Sequence, residues 1–238
     1  MALPKLITPT YELEVPSTDE KIKYRPFLVK EEKILLMAME SEDNAQIIGS
    51  VKDIVSQCTF EKLNVSTMPM FDVEFIFLQI RSKSVGEVSK LKLLCPDGDG
   101  KTYAAVEVDL SKVSVQVGDD HTNKIALTDD MGIIMTYPTI DSFLESGIET
   151  INANNMLDVI GSCILQIYEE KGEKVYEAKD QTKKELTEFI ESMNSTQFKL
   201  VQKFFDTMPK LKHDIHIKNP KTKKESTITL NGLNDFFA

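Results

Sequence analysis

Apolar and polar residues alternate over Tyr11-Glu-Leu-Glu-Val15, placing Tyr11, Leu13 and Val15 on one face. The chain turns at Pro16-Ser-Thr-Asp19 into Lys21-Ile-Lys-Tyr24, which predicts an antiparallel hairpin with one wet face. After Pro26 the apolar period lengthens to that of a helix. Ile34, Leu35, Met37, Ala38 and Met39 predict one helix, and Ile47, Ile48, Val51, Ile54 and Val55 a second beginning near Asn44. A third is predicted over Phe71 to Ser82, where Phe71, Val73, Phe75, Ile76, Leu78 and Ile80 are too dense for a surface helix and imply central burial.

From Glu87 to Val117 the pattern is that of strands, with Leu91-Lys-Leu-Leu94 and Tyr103 to Leu110 flanking a turn at Pro96-Asp-Gly-Asp-Gly100. Further strands are predicted at Lys124–Leu127 and Ile133–Tyr137. Helices return after Pro138, with Thr139 or Asp141 capping a helix that carries Phe143 and Leu144. A longer helix is predicted from about Asn154 to Glu169, presenting Met156, Val159, Ile160, Cys163, Ile164 and Ile167. Thr182-Lys-Lys-Glu185 has capping-box spacing for a helix bearing Leu186, Phe189, Ile190 and Met193. The next helix starts at Ser195, presents Phe198, Leu200, Val201, Phe204 and Phe205, and stops at Pro209. His213–Lys218 and Glu225–Leu230 predict a closing hairpin.

The fold class expected is therefore α+β: a helical frame from both chain ends, an inserted antiparallel β-rich section and a C-terminal β-hairpin. The expected divisions are 1–85, 86–137 and 138–238, the last packing with the first. At 238 residues, with 41% hydrophobic and 28% charged side chains, the chain is long enough for a core and lies outside the disordered class. Its net charge of −10 argues against nucleic acid, because phosphate binding needs clustered Lys and Arg. The one basic run, Lys218, Lys221, Lys223 and Lys224, reads as a solvated hairpin tip without interleaved aromatics. Three widely spaced cysteines, Cys58, Cys95 and Cys163, no signal-peptide pattern, and no apolar run approaching ~18 residues predict neither disulfides nor stable membrane insertion, in a reducing cytoplasmic setting.

Two strings are distinctive. One is Thr8-Pro-Thr-Tyr-Glu-Leu-Glu-Val-Pro16 leading into Lys23-Tyr-Arg-Pro-Phe-Leu-Val-Lys-Glu-Glu-Lys33; the other is Gln197-Phe-Lys-Leu-Val-Gln-Lys-Phe-Phe-Asp-Thr-Met-Pro-Lys-Leu211, followed by a hairpin and Gly232-Leu-Asn-Asp-Phe-Phe237. Together they resemble the baseplate hub proteins of T4-type contractile-tailed bacteriophages. The resemblance implies a role in building a viral tail, other baseplate hub or tail proteins as partners, and a location in the host cytoplasm during assembly or in the tail baseplate of the virion. Whether the chain stays in the finished particle, and its oligomeric state, are left open. Some relatives carry a Cys-x-x-Cys knuckle in the closing hairpin; the aligned positions here are Asn219 and Thr222, which removes thiolate ligands and leaves the turn to ordinary hydrogen bonds.

Candidate chemistry is thin. Asp97-Gly-Asp-Gly100 has the opening of a calcium loop, but Lys101, Thr102 and Val108 stand where an oxygen ligand, Gly and Glu are required. His213 and His216 fall on opposite sides of an alternating strand, so no metal or other cofactor is expected. Cys58 and Cys163 lie on apolar helix faces as inert thiols, and Cys95 at a strand end has no His or Asn near it in sequence. Asp119-Asp-His121 reads as a solvated loop, with no elbow, phosphate cradle or oxyanion motif beside it. No catalytic residue is assigned, and a tail-carried cell-wall hydrolase or protease is the alternative to a non-enzymatic assembly protein. What remains is surface: Phe27, Leu28, Met208, Pro209, Leu211, Phe236 and Phe237 are apolar residues at element boundaries. They either seal the core or form a partner-binding patch.

Overall fold

The computed structural model describes residues 6–41, 43–97, 100–146 and 155–236. In chain order the elements are β1 (Tyr11–Glu14), β2 (Lys21–Tyr24), α1 (Val29–Glu40), α2 (Asn44–Cys58), α3 (Met70–Val85), β3 (Val88–Leu94), β4 (Tyr103–Asp109), β5 (Ser114–Gln116), β6 (Lys124–Ala126), β7 (Met131–Met135), α4 (Ile140–Ser146), α5 (Met156–Ser162), β8 (Ile164–Glu169), β9 (Lys174–Glu177), α6 (Lys183–Glu191), α7 (Ser195–Thr207), β10 (Lys210–Lys218) and β11 (Glu225–Asn231). The fold is α+β, with antiparallel strand pairs throughout. Two compact units form: Met1–Gln116 with Lys210–Ala238, and Val117–Pro209.

In the first unit α3 is the axis. Phe71, Val73, Ile76, Phe77, Leu78 and Ile80 are all buried, which is what an apolar density around the whole helix requires. The β1–β2 hairpin has the expected register, Tyr11 opposite Tyr24 and Leu13 opposite Ile22. Its turn is tied to α3 by Asp72, a buried carboxylate accepting from the Ser17 N–H at 3.0 Å and from the Ser17 hydroxyl. Asp43 caps α2 by accepting from the amides of Ala45 and Gln46 at 2.9 and 3.2 Å. The closing hairpin β10–β11 is joined at its start by β5, giving the order β11-β10-β5.

The second unit is a four-stranded sheet, β6-β7-β8-β9, packed with helices around Ile125, Ile133, Met135, Ile160, Ile167, Leu186, Ile190, Val201 and Phe204. The Thr182–Glu185 capping box forms, with Thr182 N–H donating to Glu185 Oε2 at 2.8 Å and Glu185 N–H to Thr182 Oγ1 at 3.2 Å. Asn194 caps α7 in the same reciprocal way with Gln197. Thr139 accepts from the Ser142 amide at 3.2 Å at the head of α4.

Two expectations are corrected. The predicted helix from Asn154 (itself outside the described residues) to Glu169 stops at Ser162, and Ile164–Glu169 is a strand between β7 and β9. Ile160, Ile164 and Ile167 satisfy helical spacing, yet Ile164, Ile167 and Tyr168 are also good strand residues. Long-range pairing decides between them, beginning with Thr136 N–H donating to the Cys163 carbonyl at 2.7 Å. The β-rich stretch 86–137 is also not one piece. β5 hydrogen-bonds β10, so residues to Gln116 stay with the chain ends, while β6 and β7 pair onward into β8 and β9.

Candidate functional site

Each distinctive string turns out to hold a structural lock. Arg25 and Glu31, in the Arg-Pro-Phe-Leu-Val-Lys-Glu stretch, form a two-pronged ion pair: Nη2 to Oε1 at 3.0 Å and Nη1 to Oε2 at 3.3 Å. Glu31 is 1% exposed. Residue Leu28, at the N-cap position of α1, has no side-chain oxygen, so Glu31 at the third helical position supplies the cap by accepting from the Leu28 N–H. Burial alone would raise the Glu31 carboxyl; the Arg25 hydrogen bonds, the Leu28 amide and Lys30 together hold it below its usual range. The Glu31 hydrogen bond in turn raises Arg25 above its ordinary value. Arg25 Nη1 also donates to the Pro26 carbonyl at 2.9 Å and lies 3.6 Å from Cys58 Sγ, and its backbone N–H reaches the Cys58 carbonyl at 3.0 Å.

The C-terminal string is seated on α3. Glu74 Oε1 accepts from the Leu233 N–H at 3.2 Å, and a Cβ on Gly232, whose φ is +66°, would meet the same oxygen at 3.2 Å. Burial pushes the Glu74 carboxyl up to about 7, against the lowering effect of the Leu233 amide. Leu233 and Phe236 are buried beyond it.

The closing turn is held by a clamp rather than by thiolates. Asn219, 1% exposed, accepts from the amides of Lys221 and Thr222 at 2.8 and 3.2 Å, the pattern of an Asx turn. Its side-chain amide donates to Asp97 Oδ1 at 2.9 Å, and the Thr222 hydroxyl donates to Asp97 Oδ2 at 2.6 Å. The Thr222 and then the Asn219 hydrogen bond hold the Asp97 carboxyl below the usual range. Asp97 thus joins the turn of β10–β11; Gly98 and Asp99 lie outside the described residues. His213 and His216 sit on opposite faces of β10, with His216 against Thr227 at 3.0 Å, and Lys218 pairs with Glu225 at 3.5 Å. Among the described residues no three His, Cys, Asp or Glu side chains converge as a metal site.

Asp119 and Asp120 are exposed in a turn, as expected of a solvated loop, whereas the His121 side chain is half-buried and tied down. His121 Nδ1 lies 3.0 Å from Thr207 Oγ1 and Nε2 lies 2.9 Å from the Tyr137 hydroxyl. Thr207 spends its single hydroxyl proton on the Lys203 carbonyl at 2.7 Å, so it accepts from His121 Nδ1–H, which leaves Nε2 to accept from Tyr137. The three rings of His121, Tyr137 and Phe204 cluster together, with centroids 5.8 Å (His121–Tyr137), 5.2 Å (His121–Phe204) and 5.6 Å (Tyr137–Phe204) apart. Burial lowers the imidazole and raises the Tyr137 phenol, so the neutral pair is favoured. The one hydroxyl beside Nδ1, that of Thr207, has its proton committed to the Lys203 carbonyl, and burial pushes the thiols of Cys58 and Cys163 up to about 11.

Of the seven boundary residues, Leu211 and Phe236 are core, fully buried in the first unit, because β10 carries Leu211 inward opposite Val115 and Phe236 closes over Ser89. Phe27 and Pro209 are buried, Met208 is half-buried, Leu28 is exposed, and Phe237 lies outside the described residues. Among the described residues, exposed large apolar side chains are scattered over several elements but are grouped along α1, where only Glu31, Leu35 and Ala38 are buried. Val29, Leu36 and Met37 are 81%, 54% and 60% exposed, at a spacing that puts them on one outward side, flanked by Ile34 and Met39. The signal for it was the excess of apolar residues in Ile34-Leu-Leu-Met-Ala-Met39 over what one buried face can use.

These features define a two-unit α+β protein whose signature residues fasten its segments and whose first long helix offers apolar side chains to solvent. A model of the T4 bacteriophage base plate protein family matches residues 8–238, and the chain belongs to that family. Searches of curated proteins and of solved structures returned no match. A baseplate protein is a component of the phage tail and contacts other tail proteins. Among the described residues no helix is long and apolar enough to cross a membrane.

Proposed function

We infer that the chain is a non-enzymatic viral protein that assembles, or forms part of, the central hub of a contractile-tail baseplate, working in the host cytoplasm through protein–protein contacts. The observation that carries this reading is the outward side of α1. A helix whose buried face is already satisfied keeps Val29, Leu36 and Met37 in water, and exposed aliphatic and Met side chains in one patch are typical of partner surfaces. The Arg25–Glu31 lock fixes where that helix begins, so the patch is presented rigidly. Family membership supplies the setting, a baseplate.

The test is genetic and biochemical. Cells infected with phage lacking this chain should accumulate tail intermediates without a completed hub, and the chain supplied in trans should restore them. Complete hubs formed without it would refute the reading. Asking whether purified mature particles contain the chain then separates a resident subunit from an assembly factor that leaves.

A further inference from the structure

The outward side of α1 carries charge as well as apolar side chains, and the order of the charges bears on what covers it. A helix turns through about 100° per residue, so Val29, Lys33, Leu36, Met37 and Glu40 fall on the side away from the buried Glu31, Leu35 and Ala38. All five are exposed. Lys33 and Glu40 have opposite signs and lie equally far to either side of the midpoint between Leu36 and Met37. Among the described residues the ion pairs of α1 are Arg25–Glu31 and Lys30–Glu31, which use neither of them. Glu40 also stands against the helix dipole, at a C-terminal turn that holds no basic residue of its own.

A second copy of the same helix supplies what each charge lacks. If two α1 helices lie antiparallel about a two-fold axis at the Leu36–Met37 midpoint, Lys33 of each comes level with Glu40 of the other, so the pair forms twice. Leu36 and Met37 then meet their own counterparts at the centre, where both are removed from water. Each Lys33 ammonium also reaches the C-terminal end of the other helix, where the dipole favours a cation. A parallel arrangement would instead set Lys33 against Lys33 and Glu40 against Glu40. We propose that the outward side of α1 is the docking surface for a second copy of this chain, joined as an antiparallel α1–α1 dimer. The inference rests on the reading of α1 as a contact surface and names its occupant. A helix of 12 residues is only about 18 Å long and by itself buries less than the roughly 1,600 Å² of a standard stable interface, so the dimer is transient, with a dissociation constant on the order of 10–100 μM.

The experiment is sedimentation equilibrium of the full chain over a range of concentrations, where the average mass should rise from 26.9 kDa toward twice that value. Lys33→Glu and Glu40→Lys each turn two attractive pairs into two repulsive ones, so either variant alone should dimerise about tenfold more weakly than the parent. Mixed in equal amounts, the two variants should recover parental association, because each then offers the charge that the other needs. Both positions are exposed, so both variants should melt like the parent. A parent chain that stays at 26.9 kDa up to about 1 mM would overturn the dimer. So would single variants that associate as the parent does, or a mixture no tighter than its components, which no match to an unrelated partner would rescue. Sedimentation uses the purified chain alone, so a monomer there refutes the dimer and leaves the hub reading standing, whereas complete hubs formed without the chain do the reverse.

Discussion

Removing Arg25 should expose how much the first lock is worth. In Arg25→Ala, Glu31, which is 1% exposed in the parent protein, loses both guanidinium contacts, at 3.0 and 3.3 Å. Breaking one side of a buried ion pair typically costs about 3–5 kcal/mol, because the remaining charge is left in a poor solvent. Here Glu31 keeps the Leu28 amide and Lys30 at 3.4 Å, so the expected loss lies at the low end, about 3 kcal/mol, or roughly 100-fold in the folded-to-unfolded ratio. Denaturant unfolding followed by a probe on the first unit reads it as a fall in midpoint without a change in slope. Acid adds a second signature. The Glu31 carboxyl is held lower folded than unfolded, so its contribution is present above the unfolded value near 4.5 and is lost as pH falls through the folded value. Arg25→Ala should flatten that acid limb. A loss below about 1 kcal/mol, the range of an exposed pair, would refute the argument that the string exists to lock α1.

Glu74 predicts the opposite pH trend: its folded value of about 7 exceeds the ordinary 4.5, so its stabilising protonated state is complete below 4.5 and lost as pH rises through 7, by up to about 3 kcal/mol. Glu74→Gln should remove that alkaline loss, measured as melting temperature against pH. Gly132→Ala should unsettle the second unit, since the new Cβ would lie 2.2 Å from the Tyr168 hydroxyl and 2.6 Å from the Ile125 carbonyl; thermal melts should show a loss of about 1–3 kcal/mol. Protein purified without chelator should carry no stoichiometric zinc by elemental analysis, and Asn219→Ala, which strips the turn of its acceptor and its link to Asp97, should speed amide exchange at Lys221 and Thr222.

What could be read from sequence was what is local. The Thr182–Glu185 box spans three residues and the density of α3 is visible in any window, so both appear where expected. The locks were hidden because their partners are distant: Asp97 meets Asn219 across 122 positions, and Glu74 meets Leu233 across 159. Arg25 and Glu31 are only six apart, yet nothing in the string shows that the pair is buried. β8 was mistaken for helix because Ile160, Ile164 and Ile167 keep helical spacing while Ile164 and Ile167 are equally good strand formers, and the hydrogen bonds that choose come from β7 and β9. Phe236 and Leu211 were read as boundary residues that could face a partner, whereas an element boundary over a core is also where a lid is needed. His121 was misplaced for the same reason as β8, since Thr207 and Tyr137 reach it only after folding.

The claim that this protein works by contact is tested most directly by a Val29→Glu/Met37→Glu variant in a hub-complex pull-down from infected cells. Both side chains stand in solvent, so folding should be nearly unaffected, within about 0.5 kcal/mol per site. Anchors of an interface typically lose about 2 kcal/mol or more when removed, so complex formation should drop about 30-fold. A variant that melts like the parent and fails to join the hub is the predicted result; one that melts like the parent and assembles at parental yield would contradict the account.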